Sequence, residues 1–248
     1  MSRKSSISTG GAWDWRGRYL QRERIWWIAL AIVLMAAPVQ AQYGAFDMGA
    51  LTNTLALDHV TRSEGARPAA SGASIPKTLL TFAPSEELRT RNLADFIAQT
   101  RARDAEAGNA LQQLLATNDV INAAEGYLQP YGMSASNVAD AISLYLSTAW
   151  LAIHGSIADP DKSAMHSVRD QLAAAIGATP AFRQASDADK QQLAEAMIVQ
   201  SAMISQFVLS AQNDPEQMRR VQEAVGETVM SQFGLNLAAL NMTPEGLR

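Results

Sequence analysis

The chain has 248 residues, 24 acidic against 20 basic side chains, a formal net charge of −4 at pH 7 and no cysteine. Without cysteine there is no disulfide framework and no thiol for a bacterial lipid anchor, so stability must come from apolar burial. The charge balance also argues against nucleic acid, whose phosphates are bound by clustered Lys and Arg.

The first element is an apolar run from Ile25 to Pro38 that follows Arg16, Arg18, Arg22 and Arg24 and ends in Val39-Gln40-Ala41. A basic start, an apolar middle and small residues at −3 and −1 of a cleavage site make an export signal. At ~1.5 Å per residue a helix over this run is about 20 Å long, short of a bilayer core of about 30 Å. Residues 1–41 are therefore expected to leave as a signal peptide, with an uncleaved N-terminal anchor as the alternative. No Arg-Arg pair precedes the run, which argues against twin-arginine export. The expected location is the periplasm or the outside of the cell, with no stable membrane span after cleavage.

Cleavage changes the composition. Six bases and two acids leave with residues 1–41, so the remainder carries 14 bases and 22 acids, a net −8. Four of five tryptophans leave too, and Trp150 alone remains. Few aromatic platforms are left for carbohydrate. Residues 42–77 read as a flexible linker, because Thr61 to Lys77 is rich in small residues and chain breakers that cannot offset ordering entropy. Leu51 to Val60 is the part of it that could dock on the main body.

Residues 78–248 read as one helical domain. Ser85 caps a helix whose stripe is Leu88, Leu93, Phe96 and Ile97. A second, weaker helix holds Leu111, Leu114 and Leu115, and Asn118 is expected to cap a short one with Ile121, Ala124 and Leu128. Gln129-Pro130-Tyr131-Gly132 breaks the chain. Ser136 starts a helix to about Ile153, stopped by Gly155 in a left-handed cap. Only Asp140 is charged in it, and its apolar residues cover more than one face, so it should be central.

Asp159-Pro160 reads as an N-cap with proline at the first helical position, leading to Met165, Val168, Leu172 and Ile176. Thr179-Pro180 opens one turn with Phe182, and Ser186 with Asp189 resembles a capping box for a long helix through Ala211. Asn213-Asp214-Pro215 restarts the chain for a helix ending at Gly234, and Thr243-Pro244-Glu245 offers one last turn. The sum is an all-α fold, a single bundle of six or seven helices behind a signal peptide and a linker. With no fixed-period repeat, a helical solenoid is only the alternative.

Sites are sparse. His59, His154 and His166 are the only histidines and none forms an H-x-x-x-H pair, so no metal or other cofactor is expected. His154, just before Gly155, suits the carboxyl end of its helix. There is no G-x-S-x-G elbow and no glycine-rich phosphate loop in the mature part. Glu195, Asp140 and Glu125 can meet in space as a carboxylate pair suited to glycoside cleavage, though their spacing gives no support.

The helix from Ser136 carries a line of Asn137, Asp140, Leu144, Ser147, Leu151 and His154 at steps of three and four. One reading is a binding pocket lined by Asn137, Asp140 and Ser147, with Tyr145 or Trp150 at its rim and His154 at the far end. The other has Asp140 favouring the helix dipole and the stripe facing water, and the frequency of first-turn acids favours it. Gln200, on the long helix, is either a buried interhelical bond or a surface position. Eight methionines remain in the mature chain, with Met165, Met197 and Met218 at core spacing.

Leu80-Thr81-Phe82-Ala83-Pro84-Ser85 leads into Arg91-Asn92-Leu93, and Pro130-Tyr131-Gly132 precedes Asn137-Val138-Ala139-Asp140-Ala141 and Ala149-Trp150-Leu151-Ala152. Ala178-Thr179-Pro180 and Lys190-Gln191-Gln192-Leu193-Ala194-Glu195-Ala196 follow. On these patterns Leu79 to Phe233 resembles a family of exported bacterial proteins described only as a domain of unknown function. The resemblance implies export and a helical fold, and no reaction.

The expectation is an exported helical module that binds another protein at the cell envelope. A carrier of a small apolar ligand between helices is the alternative, and an unrecognised hydrolase using carboxylates is the second. The pattern points away from an enzyme without closing the question, and it assigns no oligomeric state.

Overall fold

The computed structural model describes residues 76–156 and 158–248. The expected export signal and most of the expected linker, including Leu51 to Val60, lie outside the described residues.

The chain folds as α1 (Lys77–Leu80), α2 (Glu86–Arg103), α3 (Ala105–Thr117), α4 (Val120–Leu128), α5 (Val138–Ile153), α6 (Lys162–Ala178), α7 (Pro180–Gln184), α8 (Asp187–Ala211) and α9 (Pro215–Phe233). Short 3-10 turns occupy Gln129–Tyr131 and Leu237–Ala239, and the pair β1 (Met242–Thr243) and β2 (Gly246–Leu247) closes the chain. The fold is the expected all-α bundle, with seven helices of nine residues or more among the described residues.

Helices α5 and α8 form its centre. Twelve of the sixteen residues of α5 are buried, because its apolar side chains point in every direction. Helix α8 is as deeply set and packs along α5, with α2, α4 and α9 against it. By length and composition α8 could cross a membrane, but 78% of its apolar window is buried inside the bundle. Its greasiness is that of a core helix.

Local capping explains most helix ends. Ser85 Oγ accepts from Leu88 N at 3.3 Å, Asp214 Oδ1 accepts from Glu216 N and Gln217 N, and Ser186 with Asp189 completes a reciprocal box. Gly155 and Gly234 end their helices at φ 63° and 65°, where a β-carbon would be strained.

Three starts differ from the sequence expectation. Asn118 closes α3, its Nδ2 donating to Leu114 O at 2.9 Å, and Asp119 caps α4 instead. Asn137, not Ser136, caps α5, its Oδ1 accepting from Ala139 N at 2.9 Å. Asp161, not Asp159, caps α6, accepting from Ala164 N at 3.0 Å. The reason is tertiary: Tyr131 OH donates to Pro160 O at 3.4 Å and Lys162 Nζ to Pro130 O at 2.6 Å, which ties Pro160 to the preceding turn before the helix can begin.

Buried or half-buried side chains tie down both ends of the described chain. Lys190 is buried, and its Nζ donates to Thr78 O and Thr81 O at 3.1 and 3.2 Å, holding the segment that leads in from the linker. At the other end the expected last turn is the turn of the β1–β2 hairpin, Met242 facing Leu247 and Thr243 facing Gly246. Gln171 of α6 takes the place of a third strand there. Its Oε1 accepts from Leu247 N at 2.9 Å and its Nε2 donates to Leu247 O at 3.3 Å.

Candidate functional site

From Asp140 to Ser147 the polar line of α5 does not face water. Asp140 is 3% exposed and Ser147 is 1% exposed, which overturns the solvent-facing reading. The physical reason is that α5 is enclosed as far as Ser147, so polar residues there are buried along with the rest.

Its residues go to three places. At the start, Asn137 is half-buried and spends its side chain on the cap. Asp140 Oδ2 accepts from Ser134 N at 2.9 Å, while Oδ1 has no hydrogen-bond partner and lies 3.9 Å from Arg169 Nη1. Ser134 also donates from Oγ to Glu125 Oε2 at 3.0 Å, and Ala135 N donates to the same oxygen at 2.6 Å. Two carboxylates therefore share one serine at the α4–α5 junction. Burial pushes the Asp140 carboxyl up to about 6, against the opposing pull of the Ser134 N–H and the Arg169 guanidinium. Asp170 and Glu125 add to the rise.

Glu195 is elsewhere, so the three carboxylates do not converge. Its Oε1 accepts from Arg89 Nε at 3.1 Å and Gln191 Nε2 at 2.9 Å, and its Oε2 from Asn92 Nδ2 at 2.8 Å. That network braces α2 against α8.

Both aromatics are spent on packing within the bundle. Tyr145 is wholly buried, stacked on Phe233 with ring centroids 5.6 Å apart, and its OH donates to Gln232 Oε1 at 2.9 Å. Trp150 is half-buried, and its Nε1 donates to Leu240 O at 2.8 Å, under the C-terminal segment. His154 is the exposed C-cap residue of α5. Its ring stacks on Trp150 at 4.1 Å and its Nδ1 donates to Trp150 O at 2.7 Å, the helix-end role expected of it.

The middle of the line is different. Leu144, Ser147 and Leu151 line one cleft, about 450 Å³ of empty space counting the solvent at its opening. Val208 and Leu209 of α8 complete the apolar wall; Thr148, Ser205 and Tyr127 add hydroxyls. Ser156, Ala158, exposed Asp159 and Pro160 border it. Ser147 lines the cleft as a residue, while its Oγ is closed off from solvent and makes no hydrogen bond. Of the expected pocket set, Ser147 is the member that lines this cleft. Tyr127 and the Asp159-Pro160 wall carried no signal in sequence; they arrive by chain folding alone.

A second groove, about 330 Å³ counted the same way, lies between α2 and α8 beside Asn92, Phe96 and Glu195. Among the described residues no group of three or more His, Cys, Asp or Glu is placed to hold a metal ion.

No curated protein and no solved structure gives a significant match to the chain. The match that exists is to a family model described as "Family of unknown function (DUF6683)", over residues 31–248, and the chain belongs to that family.

Proposed function

We propose that this protein is an exported binding module that engages another protein at the cell envelope through the cleft between α5 and α8. One observation carries the reading: Ser147, a buried polar residue, lines a cleft together with Leu144, Leu151, Val208 and Leu209. Apolar walls with a few placed polar groups are the usual make-up of a recognition site. The acidic, cysteine-free mature chain and its N-terminal export signal support the envelope setting.

Carriage of a small ligand is the second reading, favoured by the same cleft. It does not use the methionines, since Met165 and Met197 are packed in the core. The hydrolase reading has less support, because each oxygen of Glu195 is taken by side-chain donors.

A photo-crosslinking amino acid at half-buried Thr148 tests the proposal in envelope preparations. One defined adduct is expected, lost when Ser205→Trp fills the cleft and absent when the probe sits at exposed Glu223 on α9. Identical adducts from both positions would refute it.

A further inference from the structure

Among the described residues, the buried side-chain atoms left without a hydrogen bond include Asp140 Oδ1 and Arg169 Nε, an acceptor and a donor on facing helices. Asp140 Oδ1 lies 3.9 Å from Arg169 Nη1, about 1 Å beyond the usual N–H···O length. The guanidinium is drawn outward instead. Its Nε is 2.7 Å from Asp170 Oδ1, a close contact without hydrogen-bond geometry to a largely exposed carboxylate. Its Nη2 is 3.4 Å from His166 Nδ1. The other oxygen of Asp140 is already taken by the Ser134 N–H at 2.9 Å. An inner and an outer carboxylate thus compete for one arginine.

The proton on Asp140 decides that competition. With the proton in place, Oδ1 attracts the guanidinium weakly and exposed Asp170 keeps it. Without it, Oδ1 carries charge in the dry interior, where a charge-assisted hydrogen bond is stronger than a screened surface pair. Burial holds the Asp140 carboxyl up at about 6, so this proton is exchanged between mildly acid and neutral pH.

The neighbouring charges do not take the place of the arginine. Glu125 of α4 and Asp170 of α6 work against the ionised form. On α8, Lys190 is spent on Thr78 O and Thr81 O, and Glu195 on Arg89, Asn92 and Gln191. On α9, Glu216, Arg219, Arg220, Glu223 and Glu227 are exposed.

We propose that Arg169 is a proton-controlled clasp between α5 and α6. While Asp140 holds its proton the guanidinium rests on Asp170 and His166. When the proton leaves to solvent, the guanidinium closes on Oδ1 and ties α6 to the first turn of α5, beside the bond from Ser143 Oγ to Met165 O. At its present distance the arginine already supplies most of its attraction, and closing gives up Asp170. The exchange therefore lowers the Asp140 midpoint only slightly from about 6.

The test follows two NMR signals of the purified protein from pH ~4 to ~8, the Asp140 carboxyl carbon and Arg169 Nε. Both should move with one midpoint. In Asp140→Asn the Arg169 signal should stay flat. Asp170→Asn removes the outer partner, so the guanidinium stays on Asp140 and the Asp140 ionisation constant should rise about tenfold. The same change in an Arg169→Met background should raise it less than about threefold, since only a screened like charge is then lost. Histidine is the other side chain that ordinarily changes charge in this range, so His166→Gln is the control and should leave the Arg169 midpoint in place. The parent and Asp140→Asn readouts decide the matter even if Arg169→Met unfolds at neutral pH. An Arg169 signal that is flat in the parent, or that moves as far in Asp140→Asn, would overturn the proposal. So would an Arg169 movement abolished by His166→Gln, or a tenfold effect of Asp170→Asn that persists without the arginine.

Discussion

Gln232 Nε2 donates to Gln200 Oε1 at 2.9 Å, deep between helices α9 and α8. Gln232 Oε1 in turn accepts from Tyr145 OH, so one polar chain joins the three helices α5, α8 and α9 through the core. Both glutamines are buried, at 2% and 7% exposure, which makes every member of the chain dependent on the next. Gln232→Leu should therefore cost about 2–3 kcal/mol, because the Tyr145 hydroxyl and the Gln200 amide each lose a bond in the dry interior. The double variant Gln200→Leu with Gln232→Leu should cost less than the two single changes added together. Urea denaturation of the four proteins measures the difference; strict additivity would mean that the bond contributes nothing specific.

Asp140 predicts a pH dependence opposite to that of a paired surface carboxylate. Its folded value, about 6, lies above the ordinary 3.8, so the folded state holds the proton more tightly than the unfolded chain. Stability from this group is complete below the unfolded value and drains away as pH rises from ~4 through ~6. At about 1.4 kcal/mol per pKa unit the loss comes to about 3 kcal/mol by neutral pH. Asp140→Asn cannot ionise, and relative to the parent it should gain by that amount between pH 4 and pH 7. A parallel pH dependence in the two proteins would remove Asp140 as the source.

Gly108→Ala should destabilise the α2–α3 hairpin even though alanine favours helix. A β-carbon at Gly108 would sit 2.5 Å from Arg101 Cα and 2.8 Å from Arg101 N, backbone atoms that cannot swing aside. The helix preference of alanine is worth about 1 kcal/mol, and separating two packed backbones costs about 1–3 kcal/mol. Hydrogen exchange should quicken in α2 and α3 and stay slow in α5 and α8. Unchanged protection in α2 would show that the helices can part at no expense.

Gln171→Ala should release the C-terminal hairpin without unfolding the bundle. Both of its bonds go to Leu247, and Ser167 Oγ donating to Pro244 O is left as the polar tie to α6. The tail segment also supplies the Leu240 carbonyl over Trp150. Within residues 42–248 Trp150 is the sole tryptophan, so in a protein of that span its emission reports directly. A shift to the red together with rapid exchange at the Leu247 amide is expected, for a loss of about 1–2 kcal/mol. An emission spectrum identical to the parent's would place the hold on the tail elsewhere.

Helix boundaries were legible where neighbouring residues settle them. Ser85, Ser186 with Asp189, Asp214 before Pro215, and Gly155 and Gly234 all act on backbone groups within a turn of themselves. Asn118 and Asp159 were misread because each has a plausible neighbour, Asp119 and Asp161; Asn118 turns back to Leu114 O within its own helix, and only for Asp159 does a distant contact choose. For α6 the choice comes from Tyr131 on Pro160. The same limit hid the Gln171 brace, whose partner lies 76 residues away.

The amino-acid order by itself determined an all-α bundle and the central place of α5, because a helix with one charge among apolar residues has no face to offer water. It also marked the line on which Ser147 lies. Only the tertiary structure decided what that line meets: Asp140 is drawn to Ser134 and Arg169, Ser147 to a cleft bordered by α8, and His154 to solvent. Spacing along one helix specifies the direction of a side chain. What occupies that direction depends on chain distant in sequence, and no local pattern encodes it.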